Sequence, residues 1–271
     1  GLGDVYKRQI MNIPFSNIET LFFCDESKFY LNNGDFEDAL FYFAIPVHKN
    51  EVKTVNDEFD AILKKHRIQS SVFHATRIFR GKKHRPDLIK DITDLIISHG
   101  LLCFCFKYPK NAVFEQTKLL DYLNDGDMFD FNDPEFQALF YFLILLNTHL
   151  VEDQRLNLPG PYQMFFDRNV YGKEDTEAFN FPHPNFAIKG MTFCEKSNIS
   201  LLALPDFFGY VFRQVKNFQN KMDANQNPQP DELILACQES LLAINKAGLF
   251  FLIHLQDYLP NLGKALNINF D

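Results

Sequence analysis

The feature that most constrains this chain is an alternation of short apolar runs with segments of helical spacing. Thr20–Cys24, which meets an acidic turn at Asp25-Glu26-Ser27, and Leu40–Val47 are Phe-rich apolar runs separated by a loop holding Asn32-Asn33-Gly34-Asp35, and short runs bounded by turn residues read as strands. Val52–His66 follows with apolar residues at 52, 55, 59, 62 and 63, the recurrence of one helix face. Pro86–Ser98 repeats that spacing, with Pro86 suited to a first turn and Gly100 to a C-terminal cap. Between them, residues 68–85 are basic and irregular, with a short strand expected around Val72–His74. Further along, Leu101–Tyr108, Tyr162–Phe166 and Phe186–Phe193 read as strands. Asn111–Asn124, residues 134–152, Ser200–Asn217 and Pro230–Leu259 read as helices. Strands interleaved with helices predict an α/β layered domain, not a bundle or a sandwich.

At 271 residues the chain holds one large or two modest domains. We expect one domain over 11–221, with a polar linker at 222–230 and a C-terminal helix within 222–271 packed on the same body. The first nine residues resemble a translated sequencing-adapter scar of the kind found in metagenomic assemblies, so residues 1–10 are expected to lie outside the fold and Met11 near the true start.

Bulk properties exclude several function classes. The five cysteines are odd in number, form no CxxC pair and sit mostly in apolar runs, which argues against a zinc ribbon or a thioredoxin-type centre. Cys103 and Cys105 lie two apart, on one face of an expected strand, where core packing in a reducing compartment is the simpler use. The longest apolar stretch, Ala138–Leu146, is shorter than the ~20 residues a bilayer requires, and no signal peptide is visible, so a soluble cytoplasmic protein without a membrane partner is expected. The 31 Phe, with no Trp, invite comparison with base-stacking platforms, but AT-rich coding and core filling account for them better.

The net charge of −8 conceals an asymmetry. Residues 64–90 carry nine bases and one acid, a local net of +8, leaving 18 bases against 34 acids elsewhere, a net of −16. A polyanionic partner is therefore sought at this segment, where Arg77, Arg80, Lys82, Lys83 and Arg85 cluster.

Three aspartates sit in apolar surroundings. Asp25 follows Leu-Phe-Phe-Cys, Asp167 follows Tyr-Gln-Met-Phe-Phe, and Asp206 lies in the first turns of the helix beginning near Ser200. A carboxylate among apolar residues is costly unless a cation, proton or donor compensates it. Hard divalent cations such as Mg²⁺ or Mn²⁺ take oxygen ligands, and a pair of them can hold the attacking and leaving oxygens of a phosphodiester. Each acid also has a plain structural use: a turn cap, a loop-amide acceptor, a helix N-terminal charge. His74 adds a titratable ring beside the basic cluster. The acidic loop 125–134 fails the calcium-loop frame, since a start at Asp121 puts Leu123 at position 3 and Asn132 at position 12. His183, between two prolines, reads as a loop residue, and no nucleophile elbow, Walker loop, dinucleotide fingerprint or His-Glu-x-x-His is present.

The series Cys-Asp-Glu-Ser at 24–27, Phe-His-Ala at 73–75, Phe-Phe-Asp at 165–167 and Leu-Leu-Ala-Leu-Pro-Asp-Phe at 201–207 resembles domain-of-unknown-function family 3800 over roughly residues 20–220. The resemblance implies a ribonuclease H-like mixed sheet flanked by helices, with an extra C-terminal helix, and a metal-dependent nuclease of the kind found near mobile elements and phage-defence loci. It implies Asp25, Asp167 and Asp206 as ligands of Mg²⁺ or Mn²⁺, Glu26 and His74 as accessory catalytic residues, and Lys196 and Ser197 as phosphate contacts. Lys28 stands where the family carries Gly, and Ala203 and Pro205 replace Gln and Ala. The competing expectations are an inactive ribonuclease H-like module that binds a protein partner, and a carboxylate nuclease of PIN type with a different strand order.

Overall fold

Alternation along the first strand organises the molecule. In β1 (Thr20–Phe29), Leu21 and Phe23 point to one side of the sheet and Phe22 and Cys24 to the other, each set joining a different buried cluster. The computed structural model describes residues 17–29, 39–69, 73–79, 85–109, 134–152, 156, 158–167, 178–180 and 187–254. Among these, one seven-stranded mixed sheet is formed by β1, β2 (Ala39–His48), β3 (Cys103–Pro109), β4 (Tyr162–Asp167), β5 (Ala178–Asn180), β6 (Ile188–Cys194) and β7 (Phe250–His254), in the order β5-β6-β4-β1-β2-β3-β7. β1 pairs antiparallel with β2 and β2 with β3; on its other side β1 pairs parallel with β4, and β4 with β6.

Helices cover both faces. α1 (Val52–Lys65), the short α2 (Ala75–Phe79), α3 (Pro86–Ser98), α5 (Ala203–Asp223) and α6 (Glu232–Lys246) pack on the face of Phe23, Phe43 and Phe165, and α4 (Pro134–Glu152) packs on the face of Phe22, Tyr42 and Phe166. The α/β expectation therefore holds as a mixed sheet flanked by helices. Phe side chains fill both layers: Phe43 meets Phe208 and Phe212 edge-on at 5.6 and 5.7 Å, and Tyr42 stacks on Phe142 at 5.3 Å. Each such ring contributes about 1.5–3 kcal/mol by burial, and the Phe-rich composition serves the core. All five cysteines are buried and free, as expected for Cys103 and Cys105, and burial pushes both thiols up. No helix among the described residues is long and apolar enough to cross a membrane.

Three local expectations are corrected. The acidic turn read at Asp25-Glu26-Ser27 is the continuation of β1, because β2 supplies an antiparallel partner as far as Phe29↔Ala39. Within the irregular segment 68–85, Ala75–Phe79 form a helical turn, and Phe73 and His74 are not in a strand. The final helix ends at Lys246, not Leu259. Gly248 has φ +72°, a conformation favourable to Gly and common past a helix end, and Phe250–His254 then pair parallel with β3 as an edge strand. The helix expected at Asn111–Asn124, the acidic loop before Pro134 and His183 lie outside the described residues.

Candidate active site

Strand parity and register bring two of the acids together before any side-chain contact is considered. Asp25 continues the face of Leu21 and Phe23, and Asp167 continues that of Phe165. With Phe23 opposite Phe165 and Cys24 opposite Phe166, Asp25 and Asp167 occupy the next level of adjacent parallel strands. Here pairing of β1 to β4 ends while pairing to β2 runs on. Ligand sites of open α/β sheets form at such carboxyl ends. On that same face lies α5, whose buried residues include Leu204, Phe207, Phe208 and Val211. Pro205 sits in the first turn, where a missing N–H is harmless, and Asp206 follows in that turn, where the helix dipole favours an anion.

The third component comes from the turn after β6. Lys196 directs Nζ at Asp25 Oδ2 (3.2 Å), Asp167 Oδ2 (3.1 Å) and Asp206 Oδ2 (2.9 Å), and all four side chains are between 10% and 13% exposed. One ammonium thus faces three carboxylates in a largely buried recess, with a little of each side chain still reaching solvent. The turn itself is fixed by Asn198 N–H and Ile199 N–H donating to Glu195 O (2.9 and 3.2 Å).

Further donors differ among the acids. Asp206 Oδ2 accepts from Ala75 N–H (3.1 Å) and faces His74 Nδ1 (3.2 Å). Asp25 Oδ1 accepts from Glu26 N–H (3.0 Å). The electrostatic outcome follows. Burial pushes the Asp25 carboxyl up to about 7; Lys196 opposes this, while Asp206 and Asp167 add to it. Burial also works upward on Asp206, but the hydrogen bond from His74 and the Lys196 ammonium outweigh it and hold that carboxyl below the ordinary range. Burial works downward on Lys196, and its three carboxylate neighbours more than reverse that, keeping the amine protonated.

The predicted residues therefore separate. Asp25, Asp167, Asp206 and His74 come together. Glu26 contributes its backbone N–H, and its side chain has the opposite strand parity from Asp25. Lys196 lies inside the carboxylate cage, and Ser197 Oγ donates to Glu195 Oε2 (2.8 Å). Arg77 is exposed on α2, two residues from the N–H that holds Asp206, and Arg85 is half-buried at the start of α3. Arg80, Lys82 and Lys83 lie outside the described residues. Sequence reasoning missed Arg213. It stands two helical turns after Asp206, donates Nη2 to Thr76 Oγ1 (2.7 Å) and lies 5.8 Å over the Tyr210 ring. Its seven-residue offset from Asp206 on one amphipathic helix was the available signal.

The donor chemistry suits a hard cation: three carboxylates and one ammonium leave a formal −2, and every donor is oxygen. The spacing is that of an ammonium. Oxygens 2.9–3.2 Å from Nζ would have to close by about 1 Å to reach the ~2.0–2.1 Å of Mg²⁺. Accordingly, no group of three or more His, Cys, Asp or Glu among the described residues has the spacing of a ligand shell as it stands. No protein-family model, no curated protein and no solved structure matches the chain.

Proposed function

We propose that the chain is a metal-dependent nuclease in which Asp25, Asp167 and Asp206 hold Mg²⁺ or Mn²⁺ and the basic segment around α2 receives the nucleic acid. One observation carries this reading: carboxylates from β1, β4 and α5, distant in sequence, present one oxygen each to a single positive charge at the carboxyl end of a parallel strand pair. The ribonuclease H-like description is supported by the order β3-β2-β1-β4-β6, antiparallel on one side of β1 and parallel on the other, and by the resemblance to family 3800.

When bound, a divalent cation supplies Lewis acidity toward a phosphoryl oxygen and a water activated at neutral pH. The chain's residues prepare for that chemistry. Ala75 N–H and His74 Nδ1 fix Asp206. His74, with 45% of its side chain exposed, is placed to exchange a proton with solvent or a leaving oxygen. Arg77, exposed on α2 two residues from the N–H that holds Asp206, and Arg213, bonded to Thr76 of the same helix, put positive charge on the α2 side of Asp206, attracting a phosphate backbone toward an otherwise acidic molecule.

Labelled single- and double-stranded DNA and RNA incubated with Mn²⁺ test the reading. Wild type cleaves at least one substrate, EDTA stops it, and Asp25→Asn loses at least ~100-fold, in line with the loss of a charge-stabilising group at a reacting centre. Equal cleavage by both proteins, or none by either across the panel, overturns it.

A second reading has its own observation. Lys196 already neutralises part of the trio, so the fold needs no cation, and α6 exposes Leu235 and Leu242, 46% and 51% accessible. In that reading the chain is a catalytically silent interaction module, and the substrate panel stays intact.

A further inference from the structure

We infer that Lys196 is a displaceable counter-ion: its ammonium and a divalent cation exclude one another from the Asp25–Asp167–Asp206 cage, and cation binding releases Lys196 toward the substrate phosphate. The inference rests on the cation-binding part of the nuclease reading and goes beyond it in assigning a second state to a residue of the chain.

The exclusion is steric and electrostatic together. Nζ stands 2.9–3.2 Å from one oxygen of each carboxylate. A cation about 2.1 Å from the same three oxygens falls within roughly an ammonium radius of that point, so both cannot be accommodated. Charge gives the same answer, because like charges at such a distance repel strongly in a recess of low dielectric. With Lys196 seated, the trio and the ammonium together carry a formal −2; with Lys196 withdrawn the trio carries −3, and one oxygen of each carboxylate is released from the ammonium.

Release requires little of the fold. Lys196 lies in the turn between β6 and Ser200, whose backbone is fixed by the Glu195 carbonyl, so the four-carbon stem can rotate while the chain stays in place. The side chain keeps 13% of its surface exposed, which marks a route outward. The four-carbon lysine stem then carries the ammonium out of the cage toward solvent. Asp206 keeps its Ala75 N–H when Lys196 leaves, so one wall of the cage is held independently of the lysine.

The test is cation binding, read by titration calorimetry with Mn²⁺ alone, on wild type and Lys196→Met. The variant binds Mn²⁺ at least tenfold more tightly than wild type. A second measurement needs no variant: amine acetylation of the wild-type protein, quantified by mass spectrometry. Without cation Lys196 reacts far more slowly than the exposed Lys53; with saturating Mn²⁺ its rate rises at least fivefold while that of Lys53 is unchanged. Equal or weaker Mn²⁺ binding by the variant, or an unchanged Lys196 rate at saturation, overturns the inference, whether or not the protein cleaves nucleic acid. Absence of Mn²⁺ binding by both proteins overturns it together with the cation site. Tighter binding by the variant with a released Lys196, but no cleavage of any substrate, supports the inference and removes the nuclease reading.

Discussion

Asp25 and Asp206 accept from the same ammonium, Lys196 Nζ, at 3.2 and 2.9 Å, yet their carboxyls are displaced in opposite directions. The difference is in the remaining neighbours. Asp206 also has Ala75 N–H and His74 on its Oδ2, whereas Asp25 adds to the ammonium one backbone N–H, on Oδ1. One ammonium shared among three carboxylates cannot satisfy all of them, and of Asp25 and Asp206 the one with fewer donors bears the desolvation cost.

Asp25→Asn is expected to stabilise the cation-free protein at alkaline pH. The Asp25 carboxyl rises from 3.8 to about 7 on folding. Its favourable contribution is therefore complete below pH ~4 and is lost as pH rises through about 7, each pH unit of that window being worth about 1.4 kcal/mol. After allowance for the lost Lys196 contact, the variant gains about 2 kcal/mol at pH 8, or roughly 4–8 °C in Tm, and little at pH 4. Thermal unfolding in EDTA at both pH values measures it; a variant less stable than wild type at pH 8 contradicts the assignment.

Asp206→Asn should behave in the opposite sense. Its carboxyl is depressed on folding, so its contribution is present above pH ~3.8 and is lost as pH falls through the lower folded value. The substitution costs about 2 kcal/mol at pH 7, the scale of a charge-assisted hydrogen bond. Wild type and variant converge in acid, and urea unfolding at pH 7 and pH 3 reads the convergence. A pH-independent difference would show that the loss is packing alone.

Lys196→Met leaves three buried carboxylates facing one another, a change on the order of 3–5 kcal/mol at pH 8. The loss shrinks toward pH 5, where Asp25 is protonated in the folded protein. Mn²⁺ restores Tm to the variant more than to wild type. Equal destabilisation at both pH values would mean that Lys196 contributes chiefly through its stem.

Gly209→Ala tests the seat of α5 on the sheet. A Cβ at this position would stand 2.9 Å from Cδ2 of Phe43, whose ring is wedged between Phe208 and Phe212. Overpacking of about 2–3 kcal/mol outweighs the ~1 kcal/mol of helix propensity gained, a net loss of about 1–2 kcal/mol. In a Phe43→Leu background the cost falls toward zero, and a double-mutant cycle by urea unfolding isolates the coupling.

Arg77→Ala, an exposed position, should weaken oligonucleotide binding in low salt without lowering Tm. Removal of one phosphate contact reduces the slope of log affinity against log salt by about 0.7–0.9. Fluorescence anisotropy between low and moderate salt reads the slope; an unchanged slope removes Arg77 from the interface.

Much of the frame was legible along the chain. Leu21-Phe23-Asp25 and Phe165-Asp167 each place an acid on an apolar parity, and period-two alternation alone puts such residues on one face. Asp206 in the first turn of an apolar helix was readable for the same local reason, and so were Cys103 and Cys105 in the core. Where local cues compete, the sequence misled: Phe250–Ile253 suits a helix or a strand equally, and only β3, offering an unpaired edge, decides for β7. Likewise the Asp-Glu-Ser segment resembles a turn until β2 supplies its partner.

The linear pattern alone encodes the layered α/β alternation, the apolar setting of each acid and the asymmetry of charge, because these depend on backbone periodicity and local composition. The parallel register that levels Asp25 on β1 with Asp167 on β4, the seat of Lys196 between the three acids and the divergent proton affinities of Asp25 and Asp206 arise in the folded arrangement. Those properties depend on distances between residues as far apart as Asp25 and Lys196 and on the water excluded around them, which no local pattern encodes.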